Sequence, residues 1–135
     1  MANWFESLGL KNGPLQAMNV TYLELAAGAA LFVGFLTPFS YGGAASIVLV
    51  ALVTNHWKNG FWSFLPGEGW EYTGTLTALC IALGCLGPGE WSLDDAFSIR
   101  DDLIGWTGLL IALIAGGGGA LALLLAFWRP EPKTS

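Results

Sequence analysis

Charge is scarce in this chain, and the scarcity sets its class. Only 11% of its 135 residues are charged, against about 25% in ordinary soluble domains. Five basic residues face ten acidic ones, for a net charge of −5. That balance excludes the basic footprint of a nucleic-acid binder. There is one histidine, His56, so the chain cannot build a bis-histidine haem site or a multi-histidine metal site by itself. Met1 and Met18 are the only methionines, and neither is an evident axial ligand. Cys80 and Cys85 lie five apart, on different sides of a helix. They read as small apolar residues rather than redox or metal ligands. No GxSxG, P-loop, zinc motif or dinucleotide fingerprint occurs, and no nucleophile is paired with a base. Residues 1–19 have neither a basic n-region nor an apolar h-region, so no cleavable signal is expected.

Apolar residues are plentiful: 54% of the chain, with a mean hydropathy of +0.58. They gather in four runs, Val20 to Leu36, Tyr41 to Trp57, Trp70 to Leu86 and Leu103 to Trp128. A helix of ~17–25 such residues spans a ~30 Å hydrocarbon core. The expected fold is therefore all-α, a single domain over 1–135, an integral membrane four-helix bundle with short hairpin connections. Its helices are expected at about residues 20–37, 40–57, 70–87 and 103–128. The first three runs are at the short end, which leaves room for one to be buried or interfacial. Residues 1–19 carry Trp4, Phe5, Leu8 and Leu10, broken by Asn12-Gly13-Pro14. They are expected to lie along the membrane surface. Thr37-Pro38 and Gly42-Gly43 predict a very short first connection, and Asp101 and Asp102 are placed to cap the last helix.

Small residues recur at helical spacing: Ala26, Ala30 and Gly34; Gly74, Ala78 and Ala82; Gly108, Ala112, Gly116 and Ala120. Such ridges let backbones approach where lipid supplies no hydrophobic drive. Part of the last ridge is free to face a partner subunit. Gly116 to Gly119 suggests a kink or close packing.

Glu24 is the sharpest functional signal. It lies about one turn into the first apolar run, where an ionisable group is costly and faces a bundle interior or polar cavity. Two readings stand: a quinone or proton contact, and a structural hydrogen bond near Thr21 and Tyr22. His56 ends the second run, and its ordinary pKa near 6.5 suits proton exchange. A histidine that only holds its loop accounts for it as well. Trp57, Phe61, Trp62, Phe64 and Trp70 form an aromatic belt suited to the headgroup level or to a partner surface. Glu71 precedes Tyr72 where the third helix should begin, and an acid is favourable there.

Read in order, His56, Asn59-Gly60-Phe61, Trp70-Glu71-Tyr72, Gly87-Pro88-Gly89 and Ser92-Leu93-Asp94 resemble the DoxX family of small prokaryotic membrane proteins. Trp4-Phe5, Leu8-Gly9-Leu10, Tyr22-Leu23-Glu24-Leu25 and the Gly34 to Thr37 turn are similar to the family's upstream segments. The resemblance covers residues 4 to 95. This chain departs from the pattern in three ways. The family's usual first helix is not seen, Pro38 and Glu90 stand where it has basic residues, and a further helix follows its usual end. On topology two arguments oppose each other. Lys11, Lys58, Arg129 and Lys133 share one side and Arg100 the other, which the positive-inside rule reads as cytoplasmic termini. Family order implies the reverse, and with so few charges to count it is the expectation adopted.

The resemblance implies a setting in quinone-linked electron transfer, in a prokaryotic inner (cytoplasmic) membrane. DoxD is a subunit of thiosulfate:quinone oxidoreductase, and DoxX proteins are often labelled quinol oxidase subunits. The first expectation is an accessory subunit of a respiratory or photosynthetic complex, with membrane lipid and other membrane subunits as partners. An alternative is a quinone-binding subunit using Glu24 and His56. A further alternative is a small-solute or proton transporter. Neither a metal nor a cofactor is expected within the chain, beyond an associated quinone or bound lipid.

Overall fold

The computed structural model describes residues 2–130, and every described regular element is helical. The first, α1 (Ala2–Ser7), is short and buries Phe5. A turn through Gly9 (φ 86°) and Asn12 (φ 59°) leads to α2 (Gly13–Val33). Pro14 opens α2 rather than breaking the segment. Its missing N–H is one that a first helical turn leaves unpaired anyway. Residues 1–19 are therefore not one interfacial segment, because 13–19 are already α2.

Gly34 closes α2 in the left-handed conformation (φ 66°). Its N–H donates to Leu31 O at 3.2 Å, and the Phe35 N–H donates to Ala30 O at 2.8 Å. These are the two bonds of a Schellman cap. After Phe35 and Leu36, α3 (Thr37–Ala51) turns back, with Pro38 in its first turn. It continues through a π-helical turn, Leu52–His56, and a 3₁₀ turn, Trp57–Asn59. The hairpin is as short as expected, but Gly42 and Gly43 lie inside α3, not in the connection. A loop leads to α4 (Glu71–Leu86). The four-residue α5 (Leu93–Ala96) and a 3₁₀ turn, Asp101–Leu103, precede α6 (Trp106–Phe127). Asp101 and Asp102 do not cap α6; Gly105 precedes it, and the Gly105 N–H donates to Cys85 O at 2.8 Å.

Helix α3 is the hub, packed against α2, α4 and α6. The residues at these contacts are small. The buried face of α6 is Gly108, Ala112, Gly116 and Ala120, the whole predicted ridge. It is spent inside the bundle on α3 and α4 and does not face outward. A Cβ on Gly108 would stand 2.3 Å from Gly84 O, and one on Gly42 would stand 2.6 Å from Ala115 Cβ. Gly116 and Gly119 approach Ala45 and Ser46, whereas Gly117 and Gly118 face open space. α6 runs unbroken across them. The other two ridges differ. Ala26, Ala78 and Ala82 are exposed, and α4 buries Thr73 and Gly84 instead.

Large apolar side chains point outward: Phe32, Trp91 and Ile114 are 92%, 99% and 71% exposed. The largest fully buried residues are Gln16, Asp94 and Pro38. This is a backbone-on-backbone core inside an apolar coat, the pattern that lipid favours. Among the described residues two helices are long and apolar enough to cross a membrane: Thr37–Asn59, with hydropathy 1.5, and Trp106–Phe127, with hydropathy 2.4. Two of the four expected spans are supported in this way. α4 has 16 residues, and α2 has the length but carries Gln16, Asn19 and Glu24.

Candidate functional site

The antiparallel helices put the α2 start, the α3 end, the α4 start and the α6 end together. α1 is tied to that end. The Leu10 backbone bridges Trp128, the Lys11 N–H donates to Phe127 O at 2.9 Å, and the Arg129 N–H donates to Gly9 O at 2.7 Å. Trp128 Nε1 donates to Leu8 O at 3.1 Å. The acidic connection 87–105 occupies the other end.

Glu24 sits on α2 between two openings. One, of ≈ 300 Å³, lies among α1, α2, α3 and α6 and is walled by Phe5, Leu8, Val50 and Leu123. The other, of ≈ 260 Å³, runs along α2 and α3 past Ala27, Leu31 and Ile47. Among the described residues Glu24 is the only ionisable one lining either. Nearby hydroxyls do not reach it. Thr21 Oγ1 donates to Ala17 O, Ser46 Oγ to Gly43 O and Thr54 Oγ1 to Val50 O, at 2.9, 2.7 and 2.8 Å. A hydroxyl has one proton to give, and each of these gives it to its own helix.

His56 lines neither opening. Its Nδ1 lies 2.7 Å from Glu68 O. A carbonyl only accepts, so Nδ1 carries the proton. In the neutral ring Nε2 then accepts from Asn55 Nδ2, at 3.3 Å. The imidazole thus holds the start of the loop to its far side. Asn59 does the same, its Nδ2 donating to Asn55 O at 3.0 Å and also to Gly67 O. Glu24 and His56 are not brought into one cavity.

The aromatic residues form one ladder. Trp57 stacks on Trp70 with centroids 5.7 Å apart. Phe61 meets Trp70 edge-on at 4.8 Å and Trp62 at 5.0 Å. Phe64 lies 5.4 Å from Trp62. Trp57, Phe61, Trp62 and Phe64 remain exposed. Glu71 Oε2 accepts from Ser63 Oγ at 3.1 Å, so it also ties the loop as it opens α4. Tyr72 is exposed.

Ser92 and Asp94 are joints. Ser92 Oγ accepts from the Asp95 N–H at 3.1 Å and caps α5. Asp94 is fully buried. Its carboxylate accepts from the Leu36 N–H at 2.7 Å, the Thr37 N–H at 2.9 Å and Thr37 Oγ1 at 2.8 Å. It caps α3 from 57 residues away, at the positive end of that helix. Gly34 is required beside it for two reasons: its left-handed φ, and Ser92 Cβ standing 2.4 Å from where its own Cβ would be. Sequence reading placed Asp94 in a motif without this role.

A family model described as DoxX matches residues 1–57. Over that segment the chain is similar to DoxX-family membrane proteins. The match takes in α1, α2 and α3 up to Trp57, hence the helix with Glu24, the Gly34 turn and His56. The DoxX match stops before Asn59 and the segments around Trp70 and Ser92. No curated protein and no solved structure matches.

Sequence reasoning also missed Gln16. It is 1% exposed, and neither side-chain amide atom has a partner among the described residues. Its only signal was a polar residue in the first turn of a mostly apolar helix. Cys80 and Cys85 are free thiols in α4.

Proposed function

We propose that this chain is an accessory subunit of a quinone-linked electron-transfer complex in a prokaryotic cytoplasmic membrane. The observation that carries the proposal is the outward face of α2. From Thr21 to Val33 that helix is mostly exposed, and Glu24 stands on it with no hydrogen bond among the described residues. A carboxylate at mid-helix in lipid costs about 2.5–3.5 kcal/mol. A neighbouring subunit that covers α2 and gives Glu24 a donor removes that cost. Similarity to the DoxX family over residues 1–57 supports the quinone-linked setting. The exposed aromatic ladder suits headgroup anchoring or a second contact with the complex.

A second reading has one observation in its favour. The ≈ 300 Å³ apolar cavity beside Glu24 suits a flat, mostly apolar ring with a carbonyl, as in a quinone-binding subunit. His56 takes no part in it. A transporter path finds no comparable support.

The test is gentle extraction of the tagged chain, with co-purifying proteins, visible spectrum and extracted quinone measured. Co-purification with haem- or pigment-bearing subunits, weakened by Glu24→Gln, is the expected result. A lone chain with stoichiometric quinone that Glu24→Gln removes establishes the second reading. A lone chain without quinone sinks both.

A further inference from the structure

The third cavity, of ≈ 710 Å³, lies at the α1 end of the bundle, beside the apolar cavity that the second reading gives to a quinone. Its ionisable lining is Lys11, Lys58 and Arg129, with Glu6. The Glu6 carboxylate is turned to α2, where Oε1 accepts the Gly13 N–H at 3.1 Å. Among the described residues none of the three cations makes an ion pair. Arg129 Nη1 donates to Leu125 O and Trp128 O at 3.1 and 2.7 Å, and among the described residues Nε and Nη2 have no acceptor. The cavity is therefore an anion site by charge.

It is also a constructed site. Lys11 and Arg129 sit on the two chain segments joined by the Leu10–Trp128 bridge and its flanking backbone bonds. That ladder sets the separation of their backbones. Trp57 and Trp128 line the same cavity, as rings at headgroup level do. Most tellingly, Leu8 and Thr54 line both this cavity and the apolar one beneath α1. A cationic basin adjoining an apolar slot, at the end of two membrane-length helices, suits an anionic amphiphile.

We propose that this end of the bundle binds one anionic membrane phospholipid. Its phosphodiester sits among Lys11, Lys58 and Arg129, and an acyl chain passes Leu8 into the slot beneath α1. A free phosphate would use the basin and leave the slot empty. An acidic protein segment would bring no chain to fill it.

Native mass spectrometry of the full chain, released from bilayer discs of equal phosphatidylglycerol and phosphatidylcholine, reads the retained lipid. Phosphatidylglycerol is expected in clear excess. Neutralising one cation, as in Lys58→Gln, should weaken its retention about fivefold, from ~1 kcal/mol per basic residue at an anionic surface. Lys58→Arg should retain it, and Arg100→Gln, at the opposite end, should change nothing. Lys11 and Lys58 are exposed, so the Lys11→Gln/Lys58→Gln pair tests the site without disturbing the core. Equal retention of the two lipids overturns the proposal. So does an Arg100→Gln effect as large as that of the pair. Displacement by soluble glycerophosphoglycerol as readily as by the intact lipid would make it an anion site only and overturn it too.

Discussion

Replacing Asp94 with alanine should be among the most damaging single substitutions in this chain. The carboxylate takes three hydrogen bonds, from two backbone N–H groups and one hydroxyl, all at the start of α3. Alanine leaves the Leu36 and Thr37 N–H groups without acceptors in a site where Asp94 itself is fully buried. Each stranded buried donor costs about 1–3 kcal/mol. The Thr37 hydroxyl can rotate toward another acceptor and adds little. The expected loss is about 4 kcal/mol, a large share of the ~5–15 kcal/mol typical of a folded domain. Asparagine keeps one acceptor oxygen but turns an NH₂ toward a donor, so Asp94→Asn should lose about 2 kcal/mol. Thr37→Val removes one bond and should lose about 1 kcal/mol. The neighbouring Asp95 supplies the control. It meets Arg100 at 3.7 Å, and both side chains are partly exposed, so Asp95→Asn should lose no more than about 0.5 kcal/mol. The assay is unfolding of the purified protein in mixed micelles by SDS titration, followed by helical circular dichroism. An Asp94→Ala protein within about 1 kcal/mol of wild type would refute the claim that this carboxylate closes the α2–α3 turn.

Further tests address the helix contacts and the loop. Gly108→Ala should destabilise by about 2 kcal/mol or more, because its Cβ would meet the backbone oxygens of Gly84 and Leu103 at 2.3 and 2.4 Å. Gly117→Ala and Gly118→Ala meet nothing within 4 Å. They should be neutral or stabilise by up to about 1 kcal/mol through helix propensity; the same SDS titration reads all three. His56→Ala should cost about 1 kcal/mol by losing the bond to Glu68 O, and hydrogen exchange should rise in residues 60–70. Loss of complex turnover with the loop intact would contradict that purely structural role.

The particular residues show what could be read in advance. The α6 ridge was legible, because a glycine or alanine every fourth residue suits a close helix contact. The ridge on α4 was misread, since Ala78 and Ala82 have the same spacing but face outward. Spacing marks a face and does not say which neighbour covers it. Pro14 was taken as a breaker although proline is equally at home in a first helical turn. Glu24 was legible as an oddity, and its separation from His56 was not.

Local chemistry was therefore enough for the helical class, the apolar coat, the short α2–α3 hairpin and the aromatic loop. Each depends on residues near one another in the chain. Asp94 reaching back to Leu36 and Thr37 could not be read in this way, nor could Trp128 binding Leu8, or the meeting of Lys11, Lys58 and Arg129 around one basin. Those pairings join residues 47 to 120 positions apart, and only the antiparallel order of the helices decides which connections share an end. Hydropathy fixes how long a helix can run. Packing decides what its ends touch.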